Sequence, residues 1–398
     1  MHLSYKHTAL SCFLSYICQS VTINFAPLLF LTFSSEFDIP MSSITALITV
    51  NFAIQLLTDL ISPRFVDKIG YRASMLLAHA LCAMGMILLP ILPRFFDGFS
   101  GLLMATVLYA VGGGLLEVLA SPIIDATPLD NKPALLSLLH SFYCWGIVIT
   151  VLVSTAYFTL FGIENWALMS IIWAILPIAN ILLISFVPMP EPPKEKKGKN
   201  DLKTVFSKPI FWIFLAMMFA SGASEMAIQQ WASTFTESAL GVDKTMGDLL
   251  GVCGYAVMMG TARVLYSKFA DKLPQKTVLF VCAVMTLLCF LALSLIDSPA
   301  VGFVGCILCG LTVGIFWPCT FTLATSKMAG GTTAMFALLS LAGDVGCTTG
   351  PTVAGFVSDA FSGNLRMGIL AASVFPVIML FALSTLALKL KSKDCKKT

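Results

Sequence analysis

Twelve apolar runs divide this chain, and nothing else in the sequence limits its fold so sharply. They cover 8–34, 41–62, 73–93, 99–124, 134–160, 166–187, 209–236, 246–267, 277–296, 300–325, 333–357 and 366–388, each closed by proline, glycine or charged residues. Roughly 20 apolar residues suffice for a helix to cross the hydrocarbon core of a bilayer. Inside lipid no water serves the backbone, so each run must satisfy its own peptide groups, and a helix does so. Composition agrees: 58% of the 398 residues are apolar and 11% charged, with mean hydropathy +0.90. A soluble domain carries roughly 25% charged residues. No basic face of the kind that binds nucleic acid is present.

The basic residues orient these spans. With the N-terminus on one side, that side collects 20 Lys and Arg, among them Lys6, Arg64, Lys68, Arg72, six in the stretch 188–208, Lys268, Lys272, Lys276 and five in the tail. The opposite side holds only Arg94, Lys244 and Arg366. The bias of cytoplasmic loops toward Lys and Arg places both termini in the cytoplasm of a multi-pass protein of the cell membrane. Of the twelve cysteines only Cys395 lies outside an apolar run. Cys306 and Cys309 form a single C-x-x-C without a second ligand pair, so they read as small buried hydrophobes. No metal, cofactor or enzymatic constellation is implied.

The chain repeats itself at an offset near 200 residues. Arg64-Phe65-Val66-Asp67-Lys68 after span 2 corresponds to Lys268-Phe269-Ala270-Asp271-Lys272 after span 8, and Leu139 and Gly146 in span 5 to Leu339 and Gly346 in span 11. The expected organisation is a six-helix bundle over 1–187, a Pro- and Lys-rich cytoplasmic linker over 188–208, and a second six-helix bundle over 209–398. Internal repeats of this kind mark secondary transporters, with the site at the repeat interface.

The stretch Pro63-Arg64-Phe65-Val66-Asp67-Lys68-Ile69-Gly70-Tyr71-Arg72 resembles the loop signature of the major facilitator superfamily, with Pro63 in place of its leading glycine. That resemblance implies an all-α membrane fold of twelve transmembrane helices in two pseudo-symmetric six-helix bundles. It also implies a cytoplasmic latch in which Asp67 and Asp271 face helix N-termini, which carry partial positive charge, with Arg72 nearby. Gly112-Gly-Gly-Leu-Leu-Glu117-Val-Leu-Ala-Ser121-Pro122 and Leu138-Leu-His140-Ser-Phe-Tyr-Cys-Trp-Gly146 resemble the fucose permease group of sugar–proton symporters. The group's acidic residue before the span-1 proline is missing: Thr22, Ile23 and Asn24 precede Pro27 at a distance.

An ionisable group within a bilayer is costly and usually faces a cavity where it works. Glu117, Glu225 and Asp344 lie deep in spans 4, 7 and 11, each with small or polar neighbours one turn away. They are the candidates for proton coupling. With spans 1, 4, 7 and 10 lining the centre, as the superfamily resemblance implies, the candidate solute-binding residues are Gln19, Asn24, Glu117, Glu225, Gln229, Trp231 and Trp317, joined by Asn51, Gln55 and His140 on the polar stripes of spans 2 and 5. Asp59 and Arg263 hold equivalent repeat positions with opposite charge and join Asp67, Arg72 and Asp271 as gating candidates. The expected function is proton-coupled uptake of a sugar or similar small polar organic solute by alternating access, carried out by a monomer in the lipid bilayer. Export of amphipathic compounds or drugs is the alternative, suited by Met258, Met259 and the many phenylalanines.

Overall fold

A computed structural model describes residues 3–130, 132–191, 206–269, 274–328 and 333–394. No strand occurs among them. Chain contacts divide the protein into two units, Met1–Glu195 and Lys196–Thr398.

In the first unit the helices are α1 (Tyr5–Asn24), α2 (Met41–Ser62), α3 (Lys68–Leu88), α4 (Gly98–Ala126), α5 (Lys132–Phe161) and α6 (Trp166–Phe186). In the second they are α7 (Pro209–Gln229), α8 (Gly254–Phe269), α9 (Gln275–Leu295), α10 (Pro299–Val313), α11 (Thr333–Ala360) and α12 (Leu365–Ala372). Among the described residues eleven helices, counted with their extensions, are long and apolar enough to cross a membrane. The twelfth, α11, spans 28 residues, its middle made polar by Asp344, Thr348, Thr349 and Thr352.

Four spans expected as single helices are broken. α1 gives way at Phe25 to a 3₁₀ turn, Ala26–Leu29, before helix resumes over Phe30–Phe37. Pro27 supplies the reason, since it has no N–H for the helical ladder. α7 stops at Gln229 and resumes as the short helix Ala232–Ser238. There the Trp231 indole donates to the Pro351 carbonyl at 2.9 Å, and the Tyr255 hydroxyl to the Glu225 carbonyl at 3.0 Å. α10 breaks at Gly314 and resumes over Phe316–Lys327, and α12 breaks at Ser373 and resumes over Val374–Asp394. The breaks in α1 and α7 fall at matching places in the two halves of the sequence.

The α2–α3 connection is nearly continuous helix, interrupted only at Gly70 with φ 79° and ψ 166°. That region of backbone space is essentially open to glycine alone, which explains a glycine at this motif position. Two residues on, Arg72 donates to the carbonyls of Ile184, Ser185 (2.9 Å) and Val187 (2.7 Å). It therefore caps the C-terminus of α6, whose last carbonyls lack helical donors. All three of these acceptors lie in its own unit. The Asp67 side chain, Asp271, and 192–205 of the expected linker lie outside the described residues.

Close helix approach follows the glycines. A methyl group at Gly146 of α5 would fall 2.7 Å from the Ser20 Cβ of α1, and one at Gly346 of α11 would collide with the Phe219 carbonyl of α7. The repeat-related glycines thus make the same contact in each unit, α5 on α1 and α11 on α7. Small residues let helices pack this tightly where lipid offers no hydrophobic drive to associate.

Candidate functional site

In the first unit a run of three glycines carries α4 through the packing. A methyl at Gly112 would come within 2.7 Å of the Ala78 carbonyl of α3, and one at Gly114 within 3.1 Å of Gln55 Cα on α2. One at Gly113 would lie 3.2 Å from Thr22 Oγ1 on α1. Three successive glycines therefore seat α4 against three helices at once, and one turn later α4 presents Glu117. Its carboxylate accepts from Gln19 Nε2 at 2.7 Å. Among the described residues this neutral amide is its one hydrogen-bond partner, and the amide's own Oε1 is buried without a partner. Gln19 is held in turn by α1, where Thr22 donates to its carbonyl at 2.8 Å.

The other first-unit candidates divide. Gln55 Nε2 donates to Asn51 Oδ1 at 3.1 Å along the buried face of α2. Asn24 bonds to the Ser20 carbonyl at 2.8 Å beside the α1 break. Asp59 is half-buried near the end of α2. His140 is exposed, its ring edge-on to Tyr16 with centroids 5.5 Å apart.

Sequence reasoning passed over a buried histidine. His79 of α3, 0% exposed, contacts the Met75 carbonyl through Nδ1 at 2.8 Å. Its Nε2 receives Asn180 Nδ2 of α6 at 2.8 Å and faces Ser15 Oγ of α1 at 3.2 Å. A carbonyl requires the proton on Nδ1, so Nε2 acts as the acceptor and the ring is a neutral tie among three helices. The i, i+4 pair Ser11 and Ser15, which Asn180 also contacts, was the available signal.

In the second unit the embedded charges compensate each other. Arg263 of α8 reaches both oxygens of Glu225 through one Nη, at 3.0 and 3.1 Å. Glu225 is 3% and Arg263 21% exposed. Arg263, a gating candidate by its repeat position, forms an ion pair with Glu225 of α7. Trp231, a candidate solute-binding residue, is 0% exposed with its N–H on the Pro351 carbonyl. Trp317 is half-buried over Gly343, where an added methyl would strike its ring, which sets it one residue from Asp344. Gln229 is buried at the α7 break beside Gln230, whose Nε2 has no partner among the described residues. Gln230 is a polar residue of the broken segment that the periodicity of α7 did not single out.

Spanning helices broken at matching points, with the buried amides Asn24 and Gln229 beside those breaks, mark a polytopic helical membrane protein. A family model described as Major Facilitator Superfamily matches residues 8–351, and the chain belongs to that superfamily of transporters. Its fold is similar to that of a D-xylose–proton symporter, with 13% identity, TM-score 0.77, and 95% of this chain and 96% of that one covered. It is also similar to the nucleoside transporter NupG, with 15% identity, TM-score 0.74, and coverage of 95% and 99%. For the E. coli fucose:proton symporter FucP the values are 16% identity, TM-score 0.62, and coverage of 95% and 98%. No curated protein sequence matches significantly.

Proposed function

We propose that this transporter couples proton entry to uptake of a sugar or similar small polar organic solute by alternating access, with both termini in the cytoplasm and Glu117 carrying the proton. The observation behind this reading is the Gln19–Glu117 contact. An amide can serve both states of a carboxyl group. It donates through Nε2 to the ionised form, and after an amide flip it accepts through Oε1 from the protonated form. Gln19 has the second capacity unspent. Glu225 differs, because Arg263 already balances its charge. The buried polar residues Gln19, Asn24, Asn51 and Gln55 suit a hydroxyl-bearing solute better than an amphipathic one. The likeness of fold to transporters of fucose, xylose and nucleosides supports the same class.

Proteoliposomes with an inward pH gradient test the reading, using labelled L-fucose, D-xylose and uridine. The parent should accumulate one of these in a gradient-dependent way. Glu117→Gln, which fixes a neutral side chain, should retain exchange across the membrane and lose uphill accumulation. Accumulation by Glu117→Gln equal to the parent's would overturn the assignment. Failure of all three solutes to move would overturn the substrate class.

A further inference from the structure

We infer that Tyr16, Ser121 and Asp125 form a proton path along the α1–α4 interface, joining Glu117 to the end of α4 that the basic-residue distribution assigns to the cytoplasm. The inference rests on the reading of Glu117 as proton carrier and adds the route by which the proton leaves.

Two polar rungs connect α1 and α4. Gln19 meets Glu117 at 2.7 Å, and the Tyr16 hydroxyl meets Ser121 Oγ at 3.5 Å. Three residues back on α1 correspond to four residues forward on α4, so the helices run antiparallel here and the rungs lie one turn apart. On α4, Glu117, Ser121 and Asp125 recur at four-residue spacing and share one face. Exposure rises along that face, from half-buried Glu117 and Ser121 to exposed Asp125. Tyr16 itself is 5% exposed. A buried tyrosine hydroxyl is costly unless it has polar company, and here that company is the stripe leading out from Glu117.

The groups around Tyr16 come from four helices. Glu117 and Ser121 face it from α4, Asp59 from α2, His140 from α5, and Cys12 from its own helix. The transfer balances as a relay between neutral hydroxyls. Protonated Glu117 gives its proton, through water bridging the one-turn gap, to the hydroxyl pair, which passes one of its own onward to the Asp125 carboxylate through water at the exposed turn. Glu117 ends ionised, Tyr16 and Ser121 end neutral, and Asp125 sheds the proton to the cytoplasm.

Time-resolved infrared spectroscopy of the reconstituted full chain, after flash release of protons, tests the path without any solute. The carboxylic-acid band of Glu117 is identified by its loss in Glu117→Gln. Tyr16→Phe keeps the ring against His140 and removes only the hydroxyl. It should slow protonation of Glu117 roughly tenfold or more, the scale of a lost proton-transfer group, while the final band amplitude stays the same. Asp125→Asn should slow it as well. Unchanged rates in Tyr16→Phe would overturn the path, as would slowing by Asp59→Asn with Asp125→Asn at the parental rate. If the parent shows no Glu117 band across the pH range, the proton reading of Glu117 fails, and the path with it.

Discussion

Removing either member of the Glu225–Arg263 pair should cost far more than removing both. Glu225 is 3% exposed and sits 3.0 Å from the guanidinium of Arg263, which is 21% exposed. At an effective dielectric near 20, two charges about 4 Å apart attract by about 4 kcal/mol. That attraction offsets the cost of taking both groups from water, so the net worth of the intact pair is small. Arg263→Gln leaves the carboxylate uncompensated between helices, a loss of about 3–5 kcal/mol. The water that reaches Arg263 places the expected value near the lower end. In purified protein, Arg263→Gln or Glu225→Gln should lower the apparent melting temperature on the order of 5 °C. The double neutral variant should return most of that loss, giving a coupling energy of about 2 kcal/mol or more. Melting-temperature losses that simply add in the double variant would refute the argument, because independent losses mean that the two charges do not compensate each other.

Two further outcomes follow from the backbone and from a group outside the spans. Gly70→Ala should destabilise the protein by about 1–3 kcal/mol, purely through its φ of 79°, since nothing lies within 4 Å of the added methyl. A parental melting temperature for this variant would contradict the assigned conformation. Glu237, beside Lys244 at 3.1 Å, is pushed above its ordinary 4.5 by burial, which outweighs the lysine. The folded state therefore favours its neutral form, and its contribution to stability is full below that ordinary value and lost as pH rises through the raised one. Melting curves of the parent should decline across that window, and those of Glu237→Gln should be flatter. An equal slope in the two proteins would assign the decline to other groups.

Much of the first-unit site could be read from the sequence because its signals are local. Glu117 stands out as a carboxylate in an apolar run, and the glycines before it as a surface for close packing. Gln19 belongs to a polar stripe at helical spacing, although periodicity said nothing of its partner. His79 escaped notice because its partners lie 64 and 101 residues away on other helices, and a lone histidine in a span carries no pattern of its own. Arg72 and Arg263 were visible as charges, but what they bind depends on which helix end or side chain the packing brings within reach.

By itself the sequence determined the solvent, the helical class, the spans and the repeat. Each of these follows from short-range facts: the length of an apolar run, the lack of water for backbone groups in lipid, and the recurrence of a motif. The tertiary structure alone decided the pairings. It placed a neutral amide against Glu117 and a permanent cation against Glu225, so two carboxylates within spans that look alike in sequence have different electrostatic surroundings. It also turned Trp231 inward, because the break in α7 brings its indole to the Pro351 carbonyl. The physical reason is that a charge in a medium of low dielectric takes its character from whatever lies within a few ångströms, and only the packed helices determine those neighbours.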